Sequence, residues 1–294
     1  MALRSRPILR CTLTHSRSLS LSATNRLSYE ALGDAPAVES TLFLHGLLGN
    51  GRNLRGLAKA VNAPSSVLMD LRGHGKSPSL DGPHTFENLA LDVKNTLEGM
   101  PTTLSVLVGH SLGGRVALEY THHIVVNGTT GSTAPPTTWL LDTVPGQANE
   151  AVERVLSALD QVRLTTKLET VQQLREKGIE EGIALWLASS LHQTQDEGLQ
   201  WGFDLHVAQG VLEHFADQDF LGMLEKICTN TDTTIHLVRG GKNKEWGDNP
   251  ALLPALEEMR NNFDNFHIHV LPKAGHWVHA DDLKGLVQLF HDYP

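Results

Sequence analysis

The stretch Leu104–Tyr120, reading LSVLVGHSLGGRVALEY, narrows the possible folds more than any other part of the chain. Leu104–Gly109 is a short apolar run of the kind buried on both faces of a parallel sheet. Leu112–Tyr120 is helix-forming and follows after only His110 and Ser111. A strand that enters a helix through so short a turn forces backbones together. Gly109 and Gly113 flank that turn, where a Cβ would clash. Ser111 is therefore expected at a helix N-terminus, where unpaired N–H groups and the helix dipole favour negative charge. The pattern G-x-S-x-G in this strand–turn–helix setting points to a serine nucleophile.

The remainder of the chain alternates in the same way. Ser40–His45, Ser66–Asp70, Thr137–Asp142, Thr234–Arg239 and Phe266–Leu271 read as strands. Leu54–Val61, Phe86–Glu98 and Asp282–Phe290 read as helices. Continuous apolar strands alternating with helices predict an α/β chain with a mostly parallel, doubly wound sheet. Two stretches interrupt the alternation. Asn127–Pro136 is a small, polar loop, expected at the surface. Residues 147–230 hold helical patterns at Ala148–Val162, Lys167–Lys177 and Ile179–Leu191, with more after Asp204 and no clear strand. These predict a helical cap, inserted between the strand ending at Asp142 and the strand starting near Thr234. Such a cap would sit over the carboxyl ends of the strands, where open α/β sheets bind ligands.

Charge divides the chain unevenly. Residues 1–28 contain five arginines, six serines and no carboxylate. That composition, with leucines at 9, 13, 19 and 21, predicts a cleavable organelle import sequence read by import machinery. Mitochondrial import, to the matrix, is the expectation, with a chloroplast address as the alternative. The net charge of -9 thus averages a basic leader with an acidic body of 19 basic and 33 acidic residues. Such a body lacks the basic face a nucleic-acid partner requires. No stretch is long and apolar enough to predict a transmembrane segment. The two cysteines, Cys11 and Cys228, exclude a disulfide scaffold and a cysteine zinc site. The expected units are 1–28 as leader, 29–146 and 231–294 as the two parts of the sheet domain, and 147–230 as the cap.

A serine hydroxyl needs a base. Of sixteen histidines, His276 follows the last strand, so its loop would emerge at the serine's edge of the sheet. His122, His123, His192, His214 and His291 read as solvated surface residues. His267 and His269 alternate on a strand, without the further ligand that a metal site would need. The acid is less determined. The loop Gly240–Glu245 follows the next-to-last strand and offers Asn243 where an aspartate would be expected. Asp142 ends the strand after the serine-bearing helix and is favoured, with Glu245, Asp204 and Asp248 as alternatives. His45-Gly46-Leu47-Leu48-Gly49 follows the first clear strand. Its Leu47 N–H, with that of Leu112, would make a two-donor oxyanion hole. Trp186, Trp201, Phe203 and Phe220 are candidates to line an acyl pocket.

The set HGLLG, DLRGHGKS (Asp70–Ser77), GHSLGG, LLDTVPG and AGHWVHAD (Ala274–Asp281) resembles the α/β-hydrolase superfamily. Within it, RLSYEAL, the acid-free Gly-Gly-Lys-Asn loop and AGHWVHAD are similar to a mitochondrial branch and to bacterial short-chain esterases. Arg115 and Lys76 depart from the lysine and the acid common at those places. The resemblance covers roughly residues 27–294. It implies the α/β-hydrolase fold, a Ser111–His276–Asp142 triad, and a carboxylic esterase or thioesterase acting without cofactor or metal on an acyl ester or thioester. Two alternatives stand beside it. One is a carbon–carbon bond hydrolase or lyase of the same fold. The other is a ligand-binding receptor or scaffold that has kept the triad.

Overall fold

A computed structural model describes residues 26–33, 39–127, 134–146, 150–195 and 198–293. Most of the expected leader, and the centre of the Asn127–Pro136 loop, lie outside the described residues. The chain begins with β1 (Tyr29–Gly33) and β2 (Glu39–Leu44). It continues through α1 (Arg55–Val61), β3 (Ser65–Met69), α2 (Phe86–Leu97), β4 (Thr103–His110), α3 (Leu112–Asn127) and β5 (Thr137–Leu141). Then come α4 (Glu150–Asp160), α5 (Lys167–Glu176), α6 (Glu181–Ser189), the hairpin of β6 (His192–Thr194) and β7 (Gly198–Gln200), α7 (Leu205–Glu213) and α8 (Phe220–Asn230). The sheet resumes with β8 (Thr234–Gly240), α9 (Leu252–Asn262) and β9 (Phe266–Leu271). The described chain ends with α10 (Val278–Asp281) and α11 (Leu283–Asp292).

Seven strands form one sheet in the order β1-β3-β2-β4-β5-β8-β9. Every neighbouring pair is parallel except β1 with β3. The period-two alternation of strand side chains sorts the apolar residues onto two faces. Leu42, Leu44, Val67, Met69, Leu107, Leu140, Ile235 and Leu237 bury against α2, α3, α8 and α9 on one side. Phe43, Leu68, Val108, Trp139, Leu141 and Val238 bury against α1 and α11 on the other. This two-sided burial is why the strands read as unbroken apolar runs.

A third cluster forms between β5 and β8. Leu156, Leu159, Val171, Leu174, Ala184 and Leu187 of α4–α6 pack together, and Leu48 from the loop after β2 joins them. The inserted segment differs from expectation in two ways. It contains the short β6–β7 hairpin, because three-residue strands leave no readable alternation. Its last helix, α8, returns to the sheet layer, where Phe220, Leu224 and Ile227 join the core against α2 and α3.

Candidate active site

The parallel register sets the site. His110 pairs with Leu141, Leu141 with Val238, and Gly240 with Leu271, so the loops after β4, β5, β8 and β9 all leave at one edge. Leu44 pairs with Gly109, which brings the loop after β2 to the same place.

Ser111 stands alone between β4 and α3 with φ of 53°, the left-handed conformation that L residues avoid. Its own N–H donates to the Leu141 carbonyl at 2.9 Å, and its carbonyl accepts from Gly114 N and Arg115 N. A Cβ on Gly113 would collide with the Leu44 carbonyl, so only glycine permits this approach of helix to strand. A Cβ on Gly46 would sit 3.4 Å from the Ser111 Cβ, which puts the loop after β2 directly beside the serine. In that loop Gly49 N donates to Gly46 O at 3.1 Å, closing a turn around Leu47 and Leu48. Among the described residues the Leu47 and Leu112 N–H groups meet no protein acceptor.

Asp142 is fully buried, also at positive φ (44°), just past β5. One carboxylate oxygen accepts from Gly240 N at 2.7 Å and Trp246 Nε1 at 2.8 Å. The other accepts from Asn243 Nδ2 at 2.6 Å and from His276 Nδ1 at 2.8 Å. His276 therefore carries its proton on Nδ1, and Nε2 keeps a lone pair. Burial alone would lower its pKa, but the Asp142 carboxylate outweighs that and raises it above the ordinary 6.5. No hydrogen bond joins the Ser111 hydroxyl to His276 in this structure. Catalytic contacts of this kind are often open before substrate binds.

Asp142 and His276 thus meet as the sequence reading favoured. Of the alternative acids, Asp204 is engaged elsewhere, capping α7 through His206 N and Val207 N. Glu245 donates its N–H to the Asn243 side chain. Asn243, the residue that seemed to replace an acid, instead donates to one.

Three supports went unread in the sequence. His110 donates Nε2–H to the His276 carbonyl at 2.9 Å, and burial holds its own pKa well below 6.5. Arg115, 2% exposed, reaches the carbonyls of Phe215 (2.9 Å), Val144 (2.7 Å) and Gly146 (2.6 Å), and its guanidinium lies 4.4 Å over the Phe215 ring. His74 accepts from Leu48 N at 3.1 Å. A basic or imidazole side chain near a motif does not reveal in sequence which carbonyl or N–H it will meet. His122 also departs from the solvated reading, because its Nε2 is buried without a partner.

The candidate acyl-lining aromatics separate. Trp186 lies 6.2 Å, ring to ring, from Trp277 beside His276. Trp201 and Phe203 stack at 5.3 Å and line a cleft of about 420 Å³ with Gly73, Ser79 and Asp204. Ser111 is not among that cleft's lining residues. Phe220 is core under α3 and cannot line an acyl pocket. His267 and His269 stack with His236 and Trp139 against Tyr293. Among the described residues no group of three or more His, Cys, Asp or Glu is placed to hold a metal ion.

The sequence model of the alpha/beta hydrolase family matches residues 41–289, from the first residues of β2 into α11. The chain belongs to the alpha/beta hydrolase family. This alpha/beta hydrolase is 26% identical over 277 residues to the sn-1-specific diacylglycerol lipase ABHD11 of Danio rerio, covering 90% of the chain and 81% of the relative. It is 24% identical to esterase YbfF of Escherichia coli (strain K12), covering 86% and 91%. The solved structure of a marine microorganism esterase superposes with a TM-score of 0.74 over 92% of this chain and 99% of its own, at 19% identity, a likeness of fold. Among the described residues no helix of this alpha/beta hydrolase is long and apolar enough to cross a membrane.

Proposed function

We propose that the protein hydrolyses carboxylic esters or thioesters through an acyl-enzyme on Ser111. The observation that carries this reading is the 2.8 Å hydrogen bond from His276 to the fully buried Asp142, at the sheet edge where Ser111 stands at positive φ. His276 Nε2 takes the Ser111 proton as Oγ bonds to the acyl carbon. The carbonyl electrons move to oxygen, and the Leu47 and Leu112 N–H groups receive that charge. Collapse breaks the bond to the alcohol or thiol, which leaves with the proton from His276. Water, deprotonated by the same base, then releases the acid and restores Ser111. Asp142 orients His276 and stabilises its cationic form.

The named activities of the relatives, a diacylglycerol lipase and an esterase, support an acyl ester as substrate. The basic, acid-free first 28 residues support delivery to mitochondria with removal of that leader. A fusion tagged at the C-terminus should reach mitochondria, and one lacking residues 1–28 should stay in the cytosol.

The chemistry is tested by labelling with a fluorophosphonate and by turnover of p-nitrophenyl and acyl-CoA esters. The wild type should label, and Ser111→Ala should neither label nor turn over. Asp142→Asn should lose about 10⁴-fold in kcat, because the imidazole would take the wrong tautomer. Full activity in Asp142→Asn with loss in Glu245→Gln would reassign the acid.

A further inference from the structure

We infer that His74 is a positioning residue for the oxyanion donor Leu47, acting through Leu48, and that the inserted segment sets where His74 stands. The inference deepens the ester-hydrolase reading and rests on it.

Leu48 is the second central residue of the turn closed by Gly49 N and Gly46 O, and its φ is 61°. A leucine avoids that region, because its Cβ crowds the neighbouring carbonyl oxygen. Rotating the Leu47–Leu48 peptide would relieve the strain, and the Leu47 backbone that shares this peptide would have to readjust with it. Two contacts oppose the rotation. The Leu48 side chain is buried in the core of the inserted helices. Its N–H donates to His74 Nε2 at 3.1 Å.

His74 is itself fixed. It is 1% exposed and donates Nδ1–H to the Arg72 carbonyl at 2.8 Å, so Nε2 is free to accept. Burial, reinforced by neighbouring His45, pushes its pKa down to about 3, so the acceptor persists throughout the neutral range. The backbone around it pairs with the inserted segment. Gly75 N donates to Gly202 O at 2.8 Å, Asp204 N to Gly73 O at 2.6 Å, and His74 bridges Phe203, whose ring lies 6.5 Å away. The chain of contacts runs from the segment Gly202–Asp204 through His74 to Leu48 and Leu47. A residue that touches no substrate thereby governs the donor that meets the oxyanion.

The test compares His74→Phe, His74→Asn and His74→Gln for ester turnover, unfolding midpoint, and affinity for a trifluoromethyl ketone, which forms a tetrahedral adduct on the serine. Glutamine places Oε1 near the position of Nε2; asparagine falls short of Leu48 N, and phenylalanine has no acceptor. His74→Phe and His74→Asn should lose about 10–100-fold in kcat and as much in ketone affinity, with KM within about threefold of wild type. His74→Gln should recover most of both. His74→Asn carries the test if the phenylalanine variant does not fold. Wild-type kcat and ketone affinity in His74→Phe or His74→Asn would overturn the inference alone. A fall in unfolding midpoint with kcat unchanged would also overturn it, leaving His74 as core. A wild type that takes neither label nor ester would overturn the hydrolase reading and this inference together.

Discussion

Asp142 has no exposure to solvent and accepts from two side chains, one backbone N–H and one imidazole. A buried carboxylate is tolerable only when so surrounded, since an unpaired one costs several kcal/mol. Removing a single donor should therefore be felt. Trp246→Phe deletes the indole N–H and should cost about 1.5–3 kcal/mol in urea unfolding, with a fall in kcat as Asp142 loosens. An unchanged unfolding midpoint would mean that the indole contributes packing alone. In the proposed mechanism the same carboxylate sets the pH dependence. As the proposed base, His276 would act only when neutral, and its pKa is raised above the ordinary 6.5. The kcat/KM profile should rise with pH through a midpoint above 6.5 and fall tenfold per unit below it. Asp142→Asn should move that midpoint down, because the stabilising charge is gone.

α3 begins just after Ser111, the proposed nucleophile, and carries Arg115 one turn later. Its guanidinium holds the two carbonyls that follow Asp142, Val144 and Gly146, and one before α8, Phe215. Both stems of the inserted segment are thus tied to one helix. Burial lowers the arginine to about 10, which leaves it cationic at neutral pH. A lysine presents no planar fork and cannot reach three carbonyls at once. Arg115→Lys should lose about 2–4 kcal/mol of stability, two buried carbonyls being left without donors at roughly 1–2 kcal/mol each. Legibility at this scale followed burial. The central strands were readable because both their faces are covered, and α2 because its apolar residues recur at helical spacing. β1 was not, because its side chains are only partly buried at the sheet edge and it lacks an apolar signature. α9 went unread because it buries only Leu252 and Leu256 among charged and polar neighbours. In the candidate site, the placement of Ser111 and His276 at one sheet edge was legible from motif and chain order. Asn243, Trp246, His74 and Arg115 were not, because their roles arise from partners distant in sequence.

Histidines dominate the response of the whole molecule to acid. His45 and His74 are fully buried, with pKa values pushed down to about 4 and about 3 chiefly by burial. His110, His236, His269 and His279 are lowered as well. A group lowered in the folded state takes up its proton more readily on unfolding. Its contribution is intact above 6.5 and is lost as pH falls toward the folded value. His276 has the opposite sign: its contribution is intact below 6.5 and fades as pH rises through its folded pKa. His84 and His122 are lowered too, so eight imidazoles stand against His276 in setting the balance. The unfolding free energy in urea should fall steeply from pH 6.5 toward 4, by roughly 1 kcal/mol per pH unit for each of His45 and His74. A value flat to pH 5 would show that these imidazoles titrate normally.

The placement of Asp142 just after β5 has a consequence for how the chain can be divided. Ser111 and Asp142 precede the inserted segment and His276 follows it, so a cut anywhere between β5 and β8 leaves neither piece with all three groups. The seam between the pieces includes the parallel ladder from Thr137↔Thr234 to Leu141↔Val238. Two separately expressed halves would be silent alone and regain esterase turnover only on reassembly across that ladder, which would make this chain a natural split reporter.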